Sequence, residues 1–176
     1  MTRLDVTAHL QRLRRYARFL CRNAADADDL VQDTLVKAIA RADQFRPEGD
    51  LRNWLFSILH NTFVSGTRTA ERRSRPLDIC DNGDGFEPQP EQEVRLELRR
   101  VLAALDRLPV EQRSVIVLVS VEGMTTDEIA DLMQLPVGTV RSRLARGREA
   151  LRRLTRGDGA GTASLRIVGG HDVQTG

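Results

Sequence analysis

The stretch Thr125 to Arg153, TTDEIADLMQLPVGTVRSRLARGREALRR, limits this chain more than any other. Thr125 and Glu128 have the T-x-x-E spacing of a capping box, which satisfies the orphan N–H groups of a helix start. Ile129, Leu132 and Met133 then supply one apolar face. Pro136 disfavours continued helix at Leu135 and suits the opening of a new one. Val140, Leu144, Leu151 and Leu154 form a second stripe, and Arg141, Ser142, Arg146, Arg148 and Arg152 lie away from it. A short helix, a turn and a basic helix is the pattern of a helix-turn-helix, whose second helix enters the DNA major groove. The plain alternative is an amphipathic helix with a solvated basic face.

Local charge separates the two readings. The formal net charge is only +2, but it is segregated. Residues 136–156 hold seven Arg and one Glu, whereas 101–135 hold two Arg against six acids. Residues 1–75 carry fourteen Lys/Arg and nine Asp/Glu, and 76–100 carry three and seven. Two basic stretches around an acidic middle imply two contacts with a polyanion. Two cysteines, Cys21 and Cys80, stand far apart with no C-x-x-C pair or Cys/His cluster, so neither a zinc site nor another metal or cofactor is expected. Cys21 falls among helical apolar positions, and Cys80 in a polar stretch. No apolar run approaches the ~18 residues of a membrane span, and MTRLDVTAHLQRL lacks a signal-peptide core. A cytoplasmic protein is expected.

The first 75 residues read as three helices. Leu10, Leu13, Tyr16, Ala17 and Leu20 recur at three- and four-residue spacing, opposite Arg12, Arg14, Arg15, Arg18 and Arg22. Asp26 looks like the cap of a second helix with a buried stripe of Leu30, Val31, Leu35, Ala38, Ile39 and Ala42. Asp28, Asp29, Gln32 and Asp33 crowd its first turns, where acids favour the helix dipole and could equally meet a basic partner. FRPEGD, residues 45–50, is a loop broken by Pro47 and Gly49. A third helix follows, with Trp54, Leu55, Ile58, Leu59 and Phe63 inward, His60 and Asn61 polar, and Arg68, Arg72, Arg73 and Arg75 suited to phosphates.

At this point two blocks become recognisable. DADDLVQDTLVKAIARADQFRPEGDLRNWLFSILHNTF resembles region 2 of the extracytoplasmic-function (group 4) bacterial sigma factors, and LPVEQRSVIVLVSVEGMTTDEIADLMQLPVGTVRSRLARGREAL resembles their region 4. The blocks stand in the family's order. The resemblance implies an all-α chain of two small helical domains. Region 2 would occupy 4–75, an acidic flexible linker 76–94, region 4 with its helix-turn-helix 95–155, and a disordered tail 156–176. It implies a promoter-specificity subunit, not an enzyme, that binds core RNA polymerase through the clamp coiled coil of the largest subunit and the flap, and that also binds promoter DNA. Asp29, Gln32, Asp33 and Thr34, with Leu35 beneath, would dock on the polymerase. Phe45, Arg46, Asn53, Trp54 and Asn61 would serve the −10 element, where the family's loop captures a flipped base at a cost of a few kcal/mol of stacking. Pro47 and Glu48 leave the preferred base open. Thr139, Arg141, Ser142, Arg143, Arg146 and Arg148 would face the −35 element, with Arg143 and Arg148 near phosphates. A specific anti-sigma factor is expected as regulator.

The linker, with its prolines, glycines and acids, has no helical period. In the family it threads near the RNA exit path. From Glu93, Val94, Leu98, Val101, Leu102 and Leu105 make one helix face. Glu111 to Val121 gives a second, strongly apolar helix that Gly123 ends. Two alternatives stand beside the sigma reading. One is a sigma mimic that sequesters an anti-sigma factor without binding promoters. The other is a nuclease or recombinase, which would need a carboxylate-metal or nucleophile cluster. Asp28, Asp29 and Asp33 are the only dense acids, and polymerase docking accounts for them. The LPVEQR and FRPEGD segments also resemble the alphaproteobacterial general-stress branch.

Overall fold

The computed structural model describes residues 5–21, 23–46, 48–71 and 92–157. Side chains are described at 5–21, 23–46, 48–66 and 96–156. Most of the expected linker with Cys80, the tail from 158, and Arg22, Pro47, Arg72, Arg73 and Arg75 lie outside these residues, as does the side chain of Arg68. Within them the regular structure is helical. The first module is α1 (Leu10–Leu20), α2 (Ala24–Ala40) and α3 (Leu51–Glu71). The second is α4 (Gln92–Asp106), α5 (Val110–Ser120), α6 (Thr126–Met133) and α7 (Val137–Gly157).

Helix starts follow local chemistry. The cap of α2 is Asn23, not Asp26: its side-chain oxygen accepts the Asp26 amide at 2.7 Å, and its own NH2 donates to the Asp26 carboxylate. Both residue types cap well, but the amide needing a partner belongs to Asp26, which therefore sits inside the first turn. Asp50 opens α3 by accepting the Arg52 amide at 2.8 Å. The capping box of α6 is complete: Thr125 Oγ1 accepts the Glu128 amide at 3.2 Å, and Glu128 Oε2 accepts the Thr125 amide at 2.8 Å. This hydrogen bond is the largest cause holding the Glu128 carboxyl below its ordinary pKa. We expect Thr125→Ala to cost about 1 kcal/mol, measurable as a lower urea midpoint with an unchanged slope.

The turn into α7 is equally explicit. Gln134 ends α6 in the left-handed region at φ 54°, and the Thr139 and Val140 amides then reach back to the Pro136 carbonyl. Proline gives up no donor here, because a helix start leaves its first amides unpaired in any case.

Packing corrects two expected faces. Ile39 is 71% exposed and Val36 beside it 66%. The inward stripe of α2 is Ala27, Leu30, Val31, Thr34 and Ala38. On α4, Leu98 and Leu102 are exposed, and among its described side chains Ala104 and Leu105 are the buried ones. That helix packs mainly on α7, so one narrow edge suffices. Helix α5 behaves oppositely: residues 113–118 are buried without a break. It lies against α7 in its own module and against α1 in the other. A helix apolar on nearly every side is one surrounded by neighbours.

The modules are thus in direct contact, α1 on α5 and α3 on α6. The two small helical domains expected on either side of the linker share one seam.

Candidate polymerase and promoter surfaces

The acidic start of α2 presents Asp29, Gln32 and Asp33 to solvent. Thr34 is a correction: it is 0% exposed, and its hydroxyl donates to the Leu30 carbonyl at 2.7 Å. A threonine that satisfies its hydroxyl one turn back can sit in a core. Leu35, expected beneath it, is the partly exposed residue and lines a shallow cleft with Arg14, Arg18, Asp28, Val31 and Gln32. The exposed Val36 and Ile39 belong to the same helix. The docking candidates therefore reduce to three polar side chains, Asp29, Gln32 and Asp33, and the half-buried Leu35.

The loop before α3 is a tight turn in which the Gly49 amide reaches the Arg46 carbonyl at 2.8 Å. A side chain at 49 would press its Cβ to 3.1 Å from that same oxygen, so the turn favours glycine. Phe45 and Trp54 are both partly buried, with ring centroids 5.3 Å apart and tilted by 51°. Such a pair offers an aromatic wall for a base. Arg46 and Asn61 are exposed. Asn53 is occupied at both ends: its NH2 donates to Glu128 Oε1 at 3.1 Å and its oxygen accepts from Arg52 Nε at 3.3 Å. Glu128 lies on α6, so a residue expected at the −10 element is bonded to the helix-turn-helix.

Val140, Leu144, Gly147 and Leu151 anchor α7, all buried. Arg141, Ser142 and Arg146 are exposed, and Thr139, Arg143 and Arg148 partly so. The exposed group is ordered from within. Ser142 Oγ donates to the Thr139 carbonyl at 2.9 Å, while Arg146 Nε and Nη2 each lie 3.3 Å from the Ser142 carbonyl and hydroxyl. Arg148 is less free than expected, because its Nε is enclosed and without a hydrogen-bond partner among the described residues. Arg143 faces the first module, near enough to His60 to act on its charge.

His60 itself is partly buried, with Nδ1 3.1 Å from the Tyr16 hydroxyl. Burial first, then the Arg143 charge, lowers its pKa from 6.5 to about 4. A neutral ring can accept the hydroxyl proton of Tyr16, a phenol that burial pushes far above its usual value. The linkage has a definite sign. Between pH 6.5 and 4 the unfolded chain takes up a proton that the folded chain refuses. Stability is therefore full above 6.5 and falls as the pH drops, by up to about 1.4 kcal/mol per unit. Urea midpoints from pH 7 to 5 should decline, and His60→Gln should flatten the decline.

The sequence reading missed three residues at the seam between the modules. Glu122, at the turn after α5, has a fully buried carboxylate held by Arg12 Nε at 2.8 Å and Arg15 Nη2 at 2.7 Å. Its carbonyl accepts from Arg12 Nη2 at 3.1 Å and Arg52 Nη1 at 3.3 Å. Gly123, at φ 68°, shapes the turn. Arg113, 3% exposed, donates from α5 to the carbonyls of Leu20 (3.3 Å) and Asp106 (3.2 Å). Glu128 joins the seam from α6 by accepting from Asn53. Among the described residues no His/Cys/Asp/Glu group could hold a metal. Cys21 is partly buried and pushed up to about 11 by that burial. No helix among the described residues is long and apolar enough to cross a membrane.

Comparison with known proteins matches these surfaces to two families in chain order. Residues 6–60 match the family described as the sigma2 domain of PhyR, and 98–151 match sigma-70 region 4. The ECF RNA polymerase sigma factor EcfG of Rhodopseudomonas palustris is 40% identical over 158 residues, covering 89% of this chain and 86% of the relative. Among solved structures, the sigma factor RpoE in complex with the anti-sigma factor NepR from Bartonella quintana aligns with TM-score 0.71 at 34% identity, over 88% of this chain and 96% of that one. CnrH in complex with the cytosolic domain of CnrY aligns with TM-score 0.63 at 34% identity, over 88% and 86%. A first module with an aromatic-lined loop, a second with an arginine-faced helix-turn-helix, and 40% identity across both to a named member lead to one assignment: the chain belongs to the ECF RNA polymerase sigma factors.

Proposed function

We propose that this chain binds core RNA polymerase and directs it to promoters by reading a −35 and a −10 element, without catalysis of its own. The observation that carries the reading is α7: a buried apolar stripe fixes the helix while Arg141, Ser142 and Arg146 stand exposed and mutually ordered. Arginine suits this task because its planar fork matches both guanine edges and phosphate. The α2 face of Asp29, Gln32, Asp33 and Leu35 would meet the polymerase clamp coiled coil, and region 4 the flap. Phe45, Arg46, Asn53, Trp54 and Asn61 would serve the −10 element. An anti-sigma factor is proposed as regulator, since the RpoE and CnrH structures were solved with such a partner or with CnrY. The protein would act in the cytoplasm, where the polymerase is.

A second reading is favoured by one observation, the match of the first module to the sigma2 domain of PhyR. In it the chain would sequester an anti-sigma factor and leave promoters alone. Abortive initiation with purified core polymerase on a promoter library decides between them. Enrichment of templates sharing a −35 and −10 pair supports the sigma reading. Core binding with no template opened supports the mimic, and no core binding removes the α2 docking face.

A further inference from the structure

The seam joining the modules is built from buried charge. Helices α1 and α5 run antiparallel, since Leu20 at the end of α1 meets Arg113 early in α5, while Arg12 and Arg15 meet Glu122 just beyond the end of α5. Tyr16, with Ser114 beside it, lies between. A carboxylate taken wholly out of water is tolerated only when paired and hydrogen-bonded. Glu122 meets that condition with two guanidinium groups supplied by the other module. Apart, all three side chains would be hydrated and stable in water. Polar inter-domain contacts of this kind characterise reversible interfaces within a chain.

Closure has a geometric consequence. Elements centred near −35 and −10 are roughly 25 base pairs apart, about 85 Å at 3.4 Å per base pair. Yet Asn53 is 3.1 Å from Glu128, inside the helix-turn-helix whose second helix is α7. Arg143 of α7 acts on His60 of α3. Residues proposed for the two elements are within one small motif of each other. Twenty residues separate Glu71 from Gln92, enough for ~70 Å of extended chain. Both elements can be read only after the seam parts.

We propose that this seam is a self-inhibitory closure, fastened by Glu122 between Arg12 and Arg15 with Arg113 at its far end, which opens before the promoter is read. The inhibitory role rests on the sigma reading above; the closure does not. In this proposal the contacts that fasten the seam all come from the chain itself, so a regulator that binds the closed form would select that state over the open one.

The test uses the full chain in four forms: wild type, Glu122→Arg, Arg12→Gln/Arg15→Gln, and the swap Arg12→Glu/Arg15→Glu/Glu122→Arg. Circular dichroism establishes that each is folded. Small-angle scattering should show wild type compact, the first two variants expanded, and the swap compact again. If about a tenth of wild type is open, initiation at a cognate promoter at sub-saturating protein should rise about tenfold in the expanded variants and return in the swap, while the α2 docking face, exposed in either form, keeps its contact with core. A wild type already extended, or a swap that stays expanded, overturns the closure. Expanded variants that bind core and open promoters no better than wild type overturn its inhibitory role. If no form binds core, the sigma reading fails, and scattering still decides whether the seam closes.

Discussion

Replacing Arg146 by alanine is expected to reduce initiation at a cognate promoter by roughly 5- to 150-fold at sub-saturating protein, the equivalent of about 1–3 kcal/mol for one bidentate base contact. Arg146 is exposed, so the substitution removes no core packing. Its guanidinium lies over Ser142, one turn earlier on α7, so the fork is partly ordered before DNA arrives. Ordering a long side chain in advance lowers the entropy lost on binding. The loss should be specific: core binding and urea stability should stay at wild-type values. Arg146→Lys should recover only part of the activity, because an ammonium cannot make the planar two-bond contact. Salt dependence provides a separate check. A base-reading Arg146 predicts loss concentrated at one promoter position. A phosphate contact predicts uniform weakening and a log–log salt slope shallower by about one. Unchanged initiation at low protein would remove Arg146 from the readout altogether.

What the sequence disclosed depends on how far apart the partners lie. The capping box at Thr125 and Glu128 was legible because both residues sit within one turn. The break at Pro136 and the inward stripe of Val140, Leu144 and Leu151 were legible for the same reason. Periodicity gave the right face for α1 and part of that for α3, where it left out the fully buried Phe56, but it could not fix the phase of α2. Thr34 and Leu35 straddle the edge of the stripe. The competition was won by the smaller side chain, whose hydroxyl finds the Leu30 carbonyl. Hydropathy alone ranks those two residues the other way.

The seam lay beyond local reasoning altogether. Arg12 and Arg15 stand opposite the apolar stripe of α1, within a basic stretch read as facing a polyanion. Their counter-charge stands more than a hundred residues later, in a segment where Glu122 is one acid among six. One clue was present. The run from Val115 to Val119 is apolar at every position, too apolar for a helix with one wet side, and it sits in a module too small to surround it. That surplus of buried surface implied a further neighbour, which the structure supplies as α1.

Gly147 shows the same limit at shorter range and carries the second large expected effect. It lies inside α7, where glycine costs about 1 kcal/mol relative to alanine. The reason it is tolerated there is the approach of α5: a Cβ at 147 would stand 2.8 Å from Ile116 Cδ1 and 3.2 Å from Gln112 Cβ. Gly147→Ala sets a gain in helix propensity against that overlap. The Ile116 terminus can rotate away, so a change within about 1 kcal/mol is expected. Gly147→Leu has no such escape. Three further carbons must enter a contact that is already closed, and overpacking of this kind costs about 1–3 kcal/mol or more. A module of this size holds only a few kcal/mol in total, so the leucine variant should lose much of its cooperative unfolding transition. Its −35 binding should fall as well, because α7 would be levered off the helix that positions it. Urea unfolding of the two variants side by side is the measurement. A leucine variant as stable as wild type would mean that α5 and α7 do not cross at residue 147, and the proposed presentation of Arg141, Ser142 and Arg146 would need a different support.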